Sequence, residues 1–94
     1  MRMLFAVYDA VYDQEVLEAL DKCGEQGYTK WHRVLGRGER SEPRMDTAVW
    51  PGFNNAVVMA VQDGQEAAIK DALSEIGSGR GGLRLYALPV ERLL

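Results

Sequence analysis

Arginines recur in one aperiodic stretch of the chain, between Gly36 and Asn55. Arg37, Arg40 and Arg44 carry planar guanidinium groups, whose fork of N–H donors suits phosphate or carboxylate. The same stretch contains Trp50, a large apolar residue. Connections within compact domains have a median length of about 4–6 residues, and much longer ones are usually functional or disordered. We therefore expect Gly36–Asn55 to bind an anion and to present Arg44 and Trp50 to a protein partner. A surface excursion pinned by Trp50 is the structural alternative.

A glycine-rich segment, Gly77–Gly82, contains a further arginine, Arg80. Glycines allow backbone amides to come close to an anion, and the Arg80 guanidinium would neutralise the anion's charge. The segment is not a P-loop, because no Gly-Lys-Ser or Gly-Lys-Thr follows and a strand pattern comes next instead of a helix. It is either an anion-binding turn or a flexible connector between a helix and a strand.

Residues that could catalyse a reaction or hold a metal are few. His32 is the sole histidine and lies beside Trp31 in a strand pattern, so a surface or interface position is the simpler interpretation. Cys23 falls on an apolar helix face, where it acts as a small hydrophobic residue. Asp9 and Asp13 frame the first helix and suit capping better than acid–base chemistry. Since no metal-ligand spacing is present either, we expect no enzymatic activity and no metal site.

The composition excludes several classes of protein. The 94 residues fit one domain, 1–94, and 47% hydrophobic with 27% charged residues is typical of a globular chain. A net charge of -3 argues against a nucleic-acid partner, and one cysteine allows no intrachain disulfide. No apolar run reaches the roughly 18 residues of a membrane span, and no secretory signal precedes the first strand pattern. We expect a cytoplasmic protein without membrane insertion.

Hydrophobic patterning places these residues on alternating strands and helices. It predicts strands over Met3–Tyr8, Tyr28–Leu35, Ala56–Val61 and Leu83–Leu88. The first helix carries Val16, Leu17, Leu20 and Cys23 at helical spacing, and the second carries Ile69, Ala72, Leu73 and Ile76. Asp13 is the predicted N-cap of the first helix, and Asp63 begins a predicted capping box with Glu66 for the second.

The element order is β-α-β, a long loop, then β-α-β again. This order predicts an α+β, ferredoxin-like βαββαβ fold, with a four-stranded antiparallel sheet and both helices on one face. The first and third strands are apolar on both faces, a pattern of strands covered on both sides. Because two helices cover one face only, we expect the other face to meet another subunit.

Short motifs along nearly the whole chain resemble the PII-type signalling proteins. They are Glu15–Leu20, Gly27-Tyr28-Thr29 and Val34-Leu35-Gly36-Arg37-Gly38 in the first half, and Leu85–Glu91, which is similar to the last core strand of that family. The resemblance implies a homotrimer that binds ATP, ADP or AMP between subunits as a regulatory ligand, with no cofactor required. It also implies that the loop after the second strand docks on a transporter or a metabolic enzyme.

The resemblance also suggests which residues bind the ligand. By position, Thr29, Gly36 and Gly38 fall at the family's nucleotide cleft, and Gly79, Arg80, Gly81 and Gly82 fall in its second phosphate-facing loop. The chain departs from the family in having Glu39 where an arginine is usual, with Arg40 one residue later, and Arg84 in place of a lysine. The target loop contains no tyrosine, and an arginine-rich extension after Leu94 is missing.

Two alternatives remain open at this point. A CutA-like trimeric, metal-responsive protein would share the fold. A small ferredoxin-like enzyme would use a pocket beside His32, Trp31 and Tyr28, which lie on one predicted strand.

Overall fold

The computed structural model describes residues 1–24, 27–78 and 80–94. Within these residues the elements follow the predicted order. They are β1 (Arg2–Asp9), a 3-10 turn (Ala10–Tyr12), α1 (Asp13–Lys22), β2 (Thr29–Val34), β3 (Asn54–Val61), α2 (Glu66–Gly77) and β4 (Leu83–Pro89).

The four strands form one antiparallel sheet in the order β2-β3-β1-β4. The central strand β1 pairs with β3 along its whole length, from Arg2 opposite Val61 to Asp9 opposite Asn54. On its other side β1 pairs with β4, with Phe5 opposite Tyr86. Both halves of the chain therefore insert their first strand at the centre, which confirms the predicted ferredoxin-like fold.

One face of the sheet and the two helices enclose the core. Alternate residues of β1 and β3 meet the apolar stripes of α1 and α2, as the two periodicities require. The buried residues are Leu4, Ala6, Tyr8, Tyr12, Val16, Leu20, Val57, Met59, Val61, Ile69, Leu73 and Ile76. This packing confirms that both helices lie on the same side of the sheet.

The other side, here called the open face, displays Met3, Phe5, Val7, Trp31, Tyr86 and Leu88. The rings of Phe5 and Trp31 stack with their centroids 6.4 Å apart. Trp31, Tyr86 and Leu88 are 48%, 58% and 46% exposed, respectively. The single chain thus leaves an apolar sheet surface uncovered, as the two-sided strand pattern predicts.

Both N-caps predicted from the sequence are wrong, and the first concerns Asp13. Asp13 is the first residue of α1, and Tyr12 precedes it as an N-cap without a side-chain bond. The nearby capping bond belongs to Asp9, whose carboxylate accepts the Val11 N–H at the 3-10 turn. Asp13 is unavailable as a cap because its carboxylate accepts hydrogen bonds from three other side chains, described below.

The predicted capping box of α2 is also wrong. The helix begins at Glu66, after Gln65, which makes no side-chain cap bond. Gln65 Oε1 accepts the Gln62 N–H instead, at 2.9 Å. Asp63 lies within this turn, and its carboxylate is 3.7 Å from the amino group of Met1 instead of capping the helix.

The loop boundaries differ from the predicted Gly36–Asn55 at both ends. Tyr28 and Leu35 lie outside β2, whereas Asn54 and Asn55 belong to β3. Asn55 pairs with Tyr8 of β1 in the ladder, and its side chain is 1% exposed. The loop therefore runs over residues 35–53, and a polar residue assigned to it enters the core.

The Asp13 carboxylate ties α1 to three strands. Its Oδ1 accepts the Tyr8 hydroxyl at 2.7 Å and the Asn55 amide at 2.9 Å, and its Oδ2 accepts Lys30 Nζ at 2.7 Å. Burial alone would raise the pKa of Asp13, but the hydrogen bonds from Lys30, Tyr8 and Asn55 outweigh it and hold the pKa below its ordinary value. Burial, reinforced by the bond to Asp13, raises the pKa of Tyr8.

We expect Asp13→Asn to make the free energy of unfolding depend less on pH in acid. A carboxyl with a lowered pKa in the folded state stabilises the fold above its unfolded pKa and loses that contribution as the pH falls through the folded pKa. The free energy of unfolding of the unmodified protein should therefore decrease as the pH falls below 3.8, the ordinary pKa of an aspartate, and the decrease should be smaller in the variant. Urea unfolding at a series of pH values measures both slopes.

Asp21→Asn is the matched control, because Asp21 is an exposed carboxylate on the same helix. It should retain the pH profile of the unmodified protein. Equal slopes for Asp13→Asn and the unmodified protein would contradict the role assigned to the Asp13 hydrogen bonds.

Candidate functional site

A bulge in β2 starts the long loop. The register with β3 shifts between Trp31 and Val34, and Arg33 adopts a left-handed conformation with φ of 68°. For a non-glycine residue this conformation costs about 1–2 kcal/mol of strain. The Arg33 N–H donates to Asn55 Oδ1 at 3.0 Å, so a buried amide holds the bulge in place.

The far end of the loop is pinned to the same bulge. Arg33 Nε lies 3.2 Å from Asp46 Oδ2, and its guanidinium lies 5.2 Å from the centre of the Phe53 ring. Asp46 also has a positive φ, 54°, and its N–H donates to the Gly52 carbonyl. The loop therefore has a defined path and does not run free from strand to strand.

The first part of the loop, residues 36–44, is here called the arginine lobe. Gly36 and Arg44 form an isolated antiparallel bridge, with N–H···O distances of 3.0 Å and 2.7 Å in the two directions. The bridge closes residues 37–43 into a small subloop. Arg37 and Arg40 are thereby held on one short segment with both side chains exposed.

The second part, residues 45–52, is here called the tryptophan lobe. The N–H groups of Met45 and Thr47 donate to the Trp50 carbonyl, and the Trp50 N–H returns a bond to Thr47 Oγ1 at 2.9 Å. Met45, Val49 and Trp50 are nevertheless 38%, 76% and 39% exposed. The lobe is a hydrogen-bonded turn that carries apolar side chains on its surface.

A cleft of about 620 Å³ lies between the arginine lobe, β1 and β4. It brings together residues that are far apart in the sequence and that were predicted separately. Its lining includes Gly36, Arg37, Gly38, Arg40, Arg44, Gly82 and Arg84. The loop after β2 and the turn before β4 therefore form one site, here called the arginine cleft.

The arginine cleft carries excess positive charge. Within the part of the chain that the structure describes, Arg37 and Arg40 have no acidic partner, and Arg84 bonds only the neighbouring Leu83 carbonyl. Arg44 is paired, with its Nε 3.3 Å from Asp9 Oδ2. Such guanidinium groups can bind a phosphate or carboxylate bidentately. The geometry therefore suits a multiply charged anion.

Arg80 lies outside the arginine cleft. Its Nε and Nη2 donate to the Ile76 carbonyl, at 3.1 Å and 2.6 Å, and Nη2 lies 3.1 Å from Glu15 Oε2. The guanidinium also packs 4.7 Å from the centre of the Tyr12 ring. A cation at the C-terminal end of a helix satisfies its last carbonyls, so in this chain Arg80 caps α2 instead of facing the cleft.

The other residues predicted to bind the ligand or a partner lie at several separate places. Thr29, on β2, pairs with Val58 of β3 and does not line the cleft. The Gly81 carbonyl accepts the Tyr12 hydroxyl at 3.0 Å. Trp50 lies on the tryptophan lobe and is 39% exposed, whereas Arg44 lines the cleft. Gly79 lies outside the described residues.

Sequence reasoning missed Tyr86, Val7 and Asn54, which also line the arginine cleft. Tyr86 follows Arg84 by two residues on β4, so strand alternation could have placed it on the same face. Asn54 was assigned to the loop. Its Oδ1 is buried and finds no hydrogen-bond partner among the residues described.

The two alternatives named above depend on a metal site and on a pocket beside His32. In residues 1–24, 27–78 and 80–94, no group of three or more His, Cys, Asp or Glu side chains is placed to hold a metal ion. His32 Nδ1 lies 3.1 Å from Asn55 Oδ1, and its ring meets Phe53 edge-on. This position suits a structural role at the base of the loop.

In the same ranges no helix is long and apolar enough to cross a membrane.

Comparison with known proteins identifies solved structures with a similar fold. No family model and no curated protein matches the chain. A solved structure of a PII-like signalling protein from Thermus thermophilus is 21% identical, with a TM-score of 0.68 over 93% of this chain and 83% of that one.

Two structures of CPII from Thiomonas intermedia K12, a nitrogen regulatory PII-like protein, are also similar, each at 15% identity. One is bound to ADP and bicarbonate, with a TM-score of 0.75 over 97% of this chain and 88% of that one. The other is bound to ADP, AMP and bicarbonate, with a TM-score of 0.73 over 99% and 94%. The chain therefore has the fold of PII-like signalling proteins, which confirms the resemblance at that level.

We expect Gly82→Ala to destabilise the protein more than Gly81→Ala. Both glycines have positive φ, 80° and 68°, so alanine at either position should cost about 1–2 kcal/mol. A Cβ at Gly82 would also lie 3.3 Å from the Tyr12 ring and 3.7 Å from Arg44 Nη2, whereas Gly81 has open space. Urea unfolding of both variants measures the difference. Equal losses would contradict the close packing at this wall of the cleft.

Proposed function

We propose that this chain is a PII-like regulatory protein that binds an anionic nucleotide in the arginine cleft and presents its loop to a protein partner. The observation that carries the proposal is the convergence of Arg37, Arg40 and Arg84, none of which has an acidic partner among the described residues. Their charge is compensated best by a ligand. We propose a regulatory role, without catalysis, because the cleft concentrates anion donors and CPII, of the same fold, is a nitrogen regulatory PII-like protein.

Electrostatics favours a phosphate group over a singly charged anion. Glu39 is the one acidic residue among the described residues that line the cleft, against several guanidinium groups. Gly36, Gly38 and Gly82 add backbone that a phosphate can approach closely. A dianion or trianion would neutralise more of this charge than bicarbonate would, so we propose phosphate-bearing ligands as the tighter class.

The size and the walls of the cleft favour a nucleotide over free phosphate. Small-molecule sites commonly enclose about 300–1,000 Å³, and this cleft falls in that range. Val7 and Tyr86 supply an apolar and aromatic wall beside Arg84, against which a base can lie. A ligand donor that reached Asn54 Oδ1 would satisfy an acceptor whose burial without a partner costs about 1–3 kcal/mol. CPII, of the same fold, is bound to ADP and AMP.

The proposed assembly is a homotrimer joined through the open face. An apolar sheet surface of this kind is usually covered by another chain. The arginine cleft reaches this face through Val7 and Tyr86, so a neighbouring subunit would help to close it. Thr29, Arg80 and Gly81 keep their proposed ligand role only if a neighbouring subunit carries them to the cleft.

The tryptophan lobe is the proposed contact with a protein target. Its exposed Val49 and Trp50 offer an apolar anchor of the kind that recurs in protein interfaces. The lobe is joined to the cleft through Arg44, so a ligand in the cleft can influence its position. A transporter or a metabolic enzyme is the proposed class of target, and the cytoplasm is the proposed location.

We expect Arg84→Gln and Arg37→Gln to weaken ADP binding, each by about 1.5–3 kcal/mol, which is the usual contribution of a hydrogen bond to a charged group. Isothermal calorimetry with ADP and AMP, and with bicarbonate as a competing anion, measures the dissociation constants. A stabilising shift in the melting temperature should accompany binding.

Arg92→Gln is the matched control, since Arg92 bonds the Leu94 carbonyl in the C-terminal segment and does not line the cleft. It should bind ADP as the unmodified protein does. The proposal fails if neither nucleotide binds, or if Arg92→Gln weakens binding as much as the two cleft variants do.

We expect Trp31→Glu and Leu88→Glu to break the oligomer. Both side chains are nearly half exposed in the single chain, so the monomer should tolerate the charge, whereas an apolar interface would not. Sedimentation velocity measures the mass, and Ala67→Glu, on an exposed position of α2, serves as control. A monomeric unmodified protein, or variants of unchanged mass, would contradict assembly through the open face.

A further inference from the structure

We propose that Asp9 lowers the affinity of the arginine cleft for its anion, because Asp9 competes with the bound anion for Arg44. The proposal rests on the proposed function, since it concerns the same cleft. It begins from the one cleft arginine that already has an acidic partner among the described residues, Arg44, with its Nε 3.3 Å from Asp9 Oδ2.

A ligand in the cleft can reach Arg44 more easily than it can reach Asp9. Arg44 belongs to the lining of the cleft, whereas Asp9 lies behind it at the end of β1. The two side chains are 26% and 27% exposed, so water screens their attraction only in part. An anion in the cleft would therefore meet Arg44 with its charge already largely neutralised.

Asp9 cannot follow Arg44 towards the ligand. Its Oδ1 accepts the Val11 N–H at 3.1 Å, and its own N–H donates to the Gly82 carbonyl at 2.8 Å. The carboxylate is thus fixed by bonds that do not involve Arg44. If the guanidinium turns towards the anion, it leaves Asp9 Oδ2 without that partner.

The backbone of Arg44 limits this exchange to the side chain. Its N–H and C=O are both bonded to Gly36 across the bridge that closes the arginine lobe. The bridge therefore stays in place while the guanidinium rotates from Asp9 to the anion. The exchange takes place next to the tryptophan lobe, which begins at the next residue.

The test is the affinity of Asp9→Asn for ADP and for inorganic phosphate, measured by calorimetry on the full chain. Asparagine retains a side-chain oxygen for the Val11 N–H and is a good capping residue, so the turn should persist. Release of Arg44 to the anion should tighten binding about tenfold, the scale of a charge-assisted hydrogen bond. Asp9→Ser, which also caps without a charge, should give the same direction if Asp9→Asn folds poorly.

Glu39→Gln is the control that separates competition for Arg44 from the general effect of removing a negative charge near the anion. It makes the same change of charge within the cleft lining, but Glu39 has no ion pair among the described residues. It should tighten binding clearly less than Asp9→Asn. An equal gain from the two variants would overturn the proposal, because Asp9 would then act only as a distant charge.

A double-mutant cycle with Arg44→Gln isolates the shared arginine. In the Arg44→Gln background, Asp9→Asn should give little of its gain, since no guanidinium remains to be released. The same gain in both backgrounds would overturn the proposal, as would equal or weaker binding by Asp9→Asn. If the unmodified protein and all variants fail to bind either anion, the proposed function itself is wrong, whereas binding without the Asp9 effect refutes this inference alone.

Discussion

The buried amide of Asn55 is the interaction on which the site depends. Its Nδ2 donates to the Asp13 carboxylate at 2.9 Å, and its Oδ1 accepts the Arg33 N–H at 3.0 Å. Because Asp13 can only accept and Arg33 N–H can only donate, these two bonds fix which way the amide points. His32 Nδ1, 3.1 Å from the same Oδ1, must then carry a proton. One side chain thus joins the start of α1 to the bulge that directs the loop out of the sheet.

The bulge directs the arginine lobe towards the turn before β4, so two segments that are far apart in the sequence line one cleft. The arginine lobe folds back over β1 and β4, where Gly82 and Arg84 follow the second helix. The chain carries a net charge of -3, yet its arginines concentrate at this point. Overall charge argues against nucleic acid as a partner, whereas the local charge favours a small anion. The cleft and the uncovered apolar face adjoin at Val7 and Tyr86.

The sequence predicts the strands, the helices and their topology because each depends on apolar periodicity that repeats over several residues. The caps failed because capping depends on which groups compete for a carboxylate, and Asp13 is claimed by Asn55, 42 residues away. The position of Arg80 within the chain could not be predicted for the same reason, since its partner Glu15 is 65 residues distant. Glycine and arginine content identified both halves of the cleft, but no local pattern showed that they meet, or that Arg44 would turn inward towards Asp9.

The central claim is that the arginine cleft is the anion-binding site. The most direct measurement is an amide and arginine-Nε NMR titration of the isotopically labelled protein with ADP. The account predicts that the largest shifts occur at Gly36, Gly38, Gly82 and the Nε groups of Arg37 and Arg84, with little change on the outer surfaces of α1 and α2. Shifts confined to the helices, or no saturable shift at the cleft residues, would contradict it.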